Sequence, residues 1–171
     1  IIGPPKYVDG FTSFIPMQVM GPDGEILFLN QVNHSDDDAD LPIAKCKVDQ
    51  LFIVVLAALN REASALEYQH NLALERAGTH HLRYSLINRA FSLPAETDHS
   101  ITMMQKGRTP FAQIDQYPCR AVRRPSHEGW LPPGNSMVSV LVDNIDQLPL
   151  ANKLCSSPER PSSVVYKGRK T

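Results

Sequence analysis

The pattern of apolar and polar residues predicts a strand and a helix in the middle of the chain. Residues 49–58 are mostly apolar and rich in β-branched side chains, which is typical of a buried strand. Asn60 is a helix-capping residue, Glu62 places negative charge near the helix start, and Gly78 is a helix-stop residue. The sequence therefore predicts a helix over residues 61–77, with its apolar side facing inward.

The next apolar segments predict three further strands. Residues 82–87 form one of them, and residues 101–105 and 111–117 form a hairpin. Gly107 and Arg108 lie between the hairpin strands, where glycine permits a tight turn. The predicted order is strand, helix, strand, strand, strand.

Part of this pattern occurs twice, about 85 residues apart. Residues 13–32 align with residues 98–117 at a shift of 85, and residues 54–60 align with residues 138–144 at a shift of 84. Few positions are identical, but the two alignments agree on one period, which indicates an internal repeat.

The repeat divides the chain into one complete unit and two partial ones. Partial units leave open sheet edges and uncovered apolar faces, so we expect additional modules, a homo-oligomer or strand exchange with a second chain. The predicted segments are 1–33, the closing hairpin of an incomplete first unit; 34–47, an acidic linker; 48–118, a complete unit; 119–135, a loop rich in proline and arginine; and 136–171, the opening part of a further unit.

Composition argues against several classes of function. The net charge is −1 over 171 residues, so nothing overall favours nucleic acid or an anionic membrane as a partner. The longest apolar run, residues 51–59, is less than half of a membrane span. The three cysteines have neither disulfide-framework nor zinc-ribbon spacing, and no signal peptide is visible, so we expect a cytoplasmic protein.

Familiar catalytic and metal-binding motifs are missing from the sequence. Its six histidines lack the spacing of a helical zinc site, and the acidic run at residues 36–38 lacks the glycine and glutamate of a calcium loop. The chain contains no nucleophile-elbow, P-loop or dinucleotide-binding motif.

Four local patterns resemble one protein superfamily. They are LFIVVLA at residues 51–57, LEYQHNLALE at 66–75, GPDGE at 21–25 and VSVLVDNID at 138–146. They are similar to the opening strand, the helix, the turn before the closing strand and the next opening strand in modules of the vicinal oxygen chelate superfamily. This superfamily includes glyoxalases, bleomycin-resistance proteins and extradiol dioxygenases. The resemblance implies an α+β fold of tandem βαβββ modules, whose curved, cup-like mixed sheets hold a small molecule and carry their helices outside.

The positions that bind metal in this superfamily have changed in this chain. The resemblance places them at Ile53 and Met137 on opening strands, and at Phe28 and Gln113 on closing strands. Only Gln113 offers an oxygen donor suited to a hard divalent cation. We therefore expect no cofactor, with Phe28, Ile53 and Met137 forming an apolar floor and contributing with Gln113 to substrate binding.

Polar residues near these positions are the candidates for chemistry. Gln113, Asp115 and Tyr117 share one face of their strand because side chains alternate. That face is either a cup interior, where Asp115 acts as a general base and Tyr117 as a hydrogen-bond donor or acid, or a solvent face. Arg89 is a candidate clamp for a carboxylate or phenolate at the cup mouth, and Asn88 beside it is a further candidate for substrate binding. The alternative is a short surface helix with Arg89 in water.

The sequence thus favours a member of this superfamily that binds, and in one version transforms, a small partly apolar or aromatic molecule without the usual metal centre. One alternative is a metal-dependent extradiol-type dioxygenase, or a glyoxalase-like isomerase or lyase. Its Fe, Mn, Zn or Ni would be bound by residues of missing modules or of a partner chain. Another alternative is a non-catalytic binding or regulatory module.

Overall fold

The structure is a computed structural model with an α+β fold. It describes residues 1–8, 10–37, 39–123, 125, 127–128, 130, 134–135, 138–144 and 147–148, and the backbone alone at residues 165–166 and 169–170. Its elements are β1 (Phe14–Met20), β2 (Ile26–Val32), β3 (Val54–Ala58), α1 (Arg61–Leu72), β4 (Glu75–Arg83), α2 (Ser85–Ala90), β5 (Asp98–Lys106), β6 (Thr109–Gln116), β7 (Val165–Tyr166) and β8 (Arg169–Lys170).

Four strands form the main sheet in the order β3-β6-β5-β4. β3 runs parallel to β6, and the other two pairs are antiparallel. Helix α1 packs on one face of this sheet because Ala65, on its inner side, is fully buried against the strands. The buried core beneath the helix consists of Ala58, Ala65, Leu74, Met104, Ala112 and Ile114.

Helix α1 begins as predicted but ends earlier than predicted. The side chain of Asn60 accepts a hydrogen bond from the Ala63 backbone N–H, which caps the first turn. The helix ends at Leu72 because Ala73 adopts a left-handed conformation, with φ 50° and ψ 39°. The predicted end near residue 77 is therefore wrong, and Gly78 instead lies at a register shift within β4.

Two strand predictions also need correction. The prediction of a strand over residues 82–87 is wrong, because β4 ends at Arg83 and residues 85–90 form α2. The positions of strand β4 alternate between exposed and half-buried, but most of its side chains are polar. The sequence therefore shows no alternation of apolar and polar residues that would have predicted this strand. The strand predicted from residue 49 begins at Val54.

The hairpins β1–β2 and β5–β6 have the same register. Adding 85 to both members of the pair Pro16 and Asn30 gives the observed pair Ile101 and Asp115. The correspondence holds for four consecutive pairs, and it ends at a bulge after Met104. The two hairpins that the repeat predicted are therefore structurally equivalent along most of their length.

No helix in the described part of the chain is both long enough and apolar enough to cross a membrane.

Candidate functional site

An open cleft lies between the β1–β2 hairpin and the face of the main sheet opposite α1. Its volume is about 2460 Å³. A typical small-molecule pocket has about 300–1000 Å³, so a small ligand would occupy only part of this space. Aromatic residues connect its two walls: the ring centroids of Phe28 and Tyr84 are 6.3 Å apart, and those of Phe14 and Phe52 are 5.7 Å apart.

The polar trio of Gln113, Asp115 and Tyr117 lines this cleft. Ala112 and Ile114, which alternate with the trio along β6, point the other way and are fully buried against the α1 side of the sheet. The trio therefore lies on the interior of the cleft, the first of the two placements that the alternating pattern allowed.

Asp115 is the central polar group of the cleft wall. Its side chain is 1% exposed, and its Oδ1 accepts a hydrogen bond of 2.6 Å from Nε2 of Gln113. Within the described residues, no cationic side chain forms an ion pair with Asp115. Burial raises the pKa of this carboxyl to about 7, and the hydrogen bond from Gln113 opposes part of that rise. Near neutral pH both protonation states are populated.

Two tyrosines add neutral hydroxyl groups beside this carboxyl. Burial raises the pKa of Tyr84 far above its usual range, and the negative charge of Asp115 raises it further. Burial and then Asp115 also raise the pKa of Tyr117. Both phenols are therefore protonated at neutral pH and are able to donate hydrogen bonds. Tyr84 was not among the site residues predicted from the sequence, although it lies directly after β4, two residues beyond Leu82 of the cleft wall.

The predicted apolar floor is only partly described. Phe28 makes an edge-to-face contact with Tyr84, and Ile53 lines the cleft just before β3. Met137 lies outside the described residues. At the Tyr117 end of the polar trio, the ring of Phe91 packs edge-to-face against Tyr117, with 5.8 Å between the ring centroids.

Arg89 and Asn88 line the cleft, but the side-chain hydrogen bonds of both residues go to partners other than the polar trio. Arg89 is exposed, and its guanidinium donates to the backbone carbonyls of Ile2, at 2.8 Å, and Ser85, at 3.3 Å. Asn88 is 2% exposed, and its side-chain amide donates to two backbone carbonyls of the loop that follows α2. His99 donates to the Oδ1 of Asn88 at 2.5 Å, and burial lowers the pKa of His99, which favours its neutral form. Asn88 therefore stabilises the loop that follows α2, and Arg89 connects α2 to the N-terminal segment.

The described residues at the positions where the resemblance predicts metal ligands do not form a ligand set. Phe28 and Ile53 have no donor atom, and the amide nitrogen of Gln113 is bonded to Asp115. In the described part of the chain, no group of three histidine, cysteine, aspartate or glutamate side chains is close enough to hold a metal ion.

Comparison with known proteins gives no match to a protein-family model, a curated protein or a solved structure.

Proposed function

We propose that this protein binds a small, partly apolar or aromatic molecule in the cleft, without a metal, and places the molecule's polar group against Asp115. The observation that carries the proposal is a buried carboxyl, with a pKa of about 7, on the wall of an open cleft. Buried titratable groups with strongly shifted pKa values occur preferentially at functional sites.

The two sides of the cleft have complementary roles in this proposal. Phe28 and Ile53 offer apolar surface to a ring or alkyl group, while Gln113, Asp115 and Tyr84 offer hydrogen-bonding groups. A ligand with one apolar and one polar side is thereby held in a single orientation.

The same arrangement supports proton transfer. In its ionised form, Asp115 accepts a proton from a ligand atom at hydrogen-bond distance, because its pKa is close to neutral pH. The protonated hydroxyls of Tyr84 and Tyr117 then donate hydrogen bonds to the negative charge that develops on the ligand. Binding without chemistry uses the same contacts, so the proposal covers a binder and an acid–base catalyst.

We also propose that the two walls are modules of the vicinal oxygen chelate type, related by the 85-residue repeat. The shared register of the hairpins supports this relationship, as does the arrangement of the main sheet, in which the opening strand β3 runs parallel to the closing strand β6.

Binding is tested with three small aromatic probes of different charge: 4-nitrophenol, benzoate and benzylamine. Titrations followed by amide NMR should show that at least one probe shifts the signals of Gln113, Asp115 and Tyr117. Asp115→Asn should weaken its binding by about tenfold or more, because a hydrogen bond to a charged group contributes about 1.5–3 kcal/mol. Glu75→Gln, the same change at an exposed site outside the cleft, should leave affinity within about twofold. Absence of binding by all three probes, or equal affinity in Asp115→Asn, contradicts the proposal.

The metal-free part of the proposal needs its own measurement. Elemental analysis of the purified protein by mass spectrometry should give well below one Fe, Mn, Zn or Ni per chain. A stoichiometric metal would instead favour the metal-dependent dioxygenase, isomerase or lyase, and would direct screening towards catechols and thiol adducts.

A further inference from the structure

The β1–β2 hairpin has one paired edge and one open edge. Residues 2–6 cover the outer edge of β1, where the backbone N–H groups of Ile2 and Gly3 donate to the Gln18 carbonyl. On the free edge of β2, the described hydrogen bonds come from side chains: Nδ2 of Asn135 donates to the Ile26 carbonyl at 3.2 Å, and Nδ2 of Asn30 donates to the Phe28 carbonyl at 3.4 Å. An open strand edge presents unpaired backbone groups and is a template for another strand.

The equivalent edge in the main sheet is occupied. There β3 pairs in parallel with β6, so that Val55 lies beside Gln113 and Leu56 lies beside Ile114. The shift of 85 that superposes the hairpins maps Gln113 onto Phe28 and Ile114 onto Leu29. The free edge of β2 is therefore the position that β3 fills in the other wall.

A second segment of this chain has the sequence pattern of β3. Residues 138–144 align with residues 54–60 at the shift of 84, which places Asn144 at the position of Asn60. A turn begins at each of these asparagines, since the Asn144 carbonyl accepts from Gln147 and the Asn60 carbonyl accepts from Ser64. Residues 138–142 belong to no strand in the structure, and their apolar side chains are exposed; Leu141, at 103%, is the most exposed of them.

We propose that residues 138–142 form a parallel strand on the free edge of β2 in the same chain, with Ser139 beside Phe28 and Val140 beside Leu29. Asn135 already contacts the first residue of β2, which places the segment at the correct end of this edge. Val138 is three positions beyond Asn135, a reach of at most about 10 Å, so the tether favours β2 of the same molecule.

The segment changes position to make this pairing. In the structure it lies beside residues 51–54 and 110–111, at the start of β3 and β6. Pairing with β2 moves residues 138–142 to the hairpin while Asn135 keeps its contact. It satisfies the backbone groups on the open edge and places Leu141 on the cleft face next to Asn30, because Ala57 faces the cleft beside Asp115 in the equivalent pair. The proposed strand thus enlarges the hairpin wall of the cleft.

Disulfide trapping tests the proposed register. In a full-length chain whose Cys46, Cys119 and Cys155 are replaced by serine, Leu29→Cys is combined with Val140→Cys. Paired residues on neighbouring strands lie about 5 Å apart between Cα atoms, within the range that a disulfide spans. The matched control combines Leu29→Cys with Leu141→Cys, which differs by one residue and points to the opposite face. After mild oxidation, non-reducing electrophoresis and peptide mass spectrometry identify the linked cysteines.

We expect an intramolecular disulfide in the 29/140 variant that forms at least about tenfold faster than in the 29/141 control. Equal rates in the two variants, or no disulfide in either, overturn the proposed strand. An intermolecular disulfide between positions 29 and 140 overturns the same-chain assignment and places a second copy on this edge. As a control for folding, the circular dichroism spectra of the reduced variants must match that of the parent. We expect them to match because Leu29 and Val140 are both more than two-fifths exposed, so their replacement should not disturb the fold.

Discussion

The two hairpins of this protein share a register but not an environment. On the outer face of β6, Ala112 and Ile114 are fully buried beneath α1. Their equivalents on β2, at 85 residues less, are Leu27 and Leu29, which are 48% and 43% exposed. Local sequence and turns are therefore sufficient to set the hairpin register. The burial of the outer face of a hairpin depends instead on the strand and helix that the rest of the chain provides.

The cleft faces of the same hairpins differ in chemistry. Gln113 and Asp115 on β6 correspond to Phe28 and Asn30 on β2. One wall therefore carries a buried ionisable group, and the other carries an aromatic ring and an amide. Equivalent backbone positions therefore carry different side-chain chemistry on the two walls of the cleft.

The largest expected effect concerns the outer faces. Ile114→Asp places a charge in the core beneath α1 and should cost more than about 4 kcal/mol of unfolding free energy, enough to prevent folding. Leu29→Asp, at the equivalent exposed position, should cost less than about 1 kcal/mol. Urea denaturation of both variants measures the difference. A large loss from Leu29→Asp would mean that this face of the hairpin is covered.

The second effect concerns Asp115 and its equivalent, Asn30. The folded-state pKa of Asp115 is raised from 3.8 to about 7, so the native state retains a proton that the unfolded state loses. The contribution of Asp115 to stability should therefore fall as pH rises from about 4 to about 7, so the stability of Asp115→Asn relative to the parent should increase over this range. At pH 8 this variant should be more stable than the parent by on the order of 4 kcal/mol, since one pKa unit corresponds to about 1.4 kcal/mol.

Urea denaturation at pH 4 and pH 8 measures this pH dependence. Asn30→Asp is the matched control, because Asn30 is only partly buried and its carboxylate should remain hydrated. A stability difference between Asp115→Asn and the parent that is the same at pH 4 and pH 8 would contradict a raised pKa for Asp115.

A smaller effect separates Gln113 from Phe28. Gln113→Leu removes the hydrogen bond that favours the ionised form of Asp115, so the pKa of Asp115 should rise further, by about one unit. Phe28→Leu should leave this pKa nearly unchanged, because Phe28 makes no hydrogen bond to the carboxyl. Carboxyl-carbon NMR titration of Asp115 distinguishes the two variants. An unchanged pKa in Gln113→Leu would show that burial alone controls this group.

The smallest effect concerns the helix that distinguishes the two hairpins. Asn60→Ala removes the cap of α1 and should cost about 1 kcal/mol of unfolding free energy. Asn60→Asp keeps an oxygen acceptor and should cost less than half as much. Thermal unfolding by circular dichroism measures both. Equal losses would indicate that the cap hydrogen bond contributes little to holding α1 on the sheet.

The sequence predicted the features that depend on local chemistry. The start of α1 follows from Asn60, and the β5–β6 hairpin follows from apolar strands around Gly107. Strand β4 was missed because most of its side chains are polar, although they alternate in exposure. A local pattern of this kind does not distinguish a polar edge strand from the end of a helix.

The candidate site was only partly predictable for a related reason. Alternation along β6 grouped Gln113, Asp115 and Tyr117 but left the direction of their face open. The role of Tyr84 depends on the hairpin folding back so that Phe28 contacts it, a contact 56 positions apart in sequence. The pKa of Asp115 likewise depends on burial by residues from several elements, which no short sequence window contains.

The near-neutral pKa of Asp115 has a thermodynamic consequence for molecular recognition. At pH 7 both the protonated and the ionised forms are populated. A ligand that requires either form therefore loses no more than about 1.4 kcal/mol, the equivalent of one pKa unit, in selecting it. An ordinary exposed aspartate would require about 4 kcal/mol to be protonated at this pH. The Asp115 carboxyl can therefore accept a hydrogen bond in its ionised form or donate one in its protonated form, at little cost in free energy in either case.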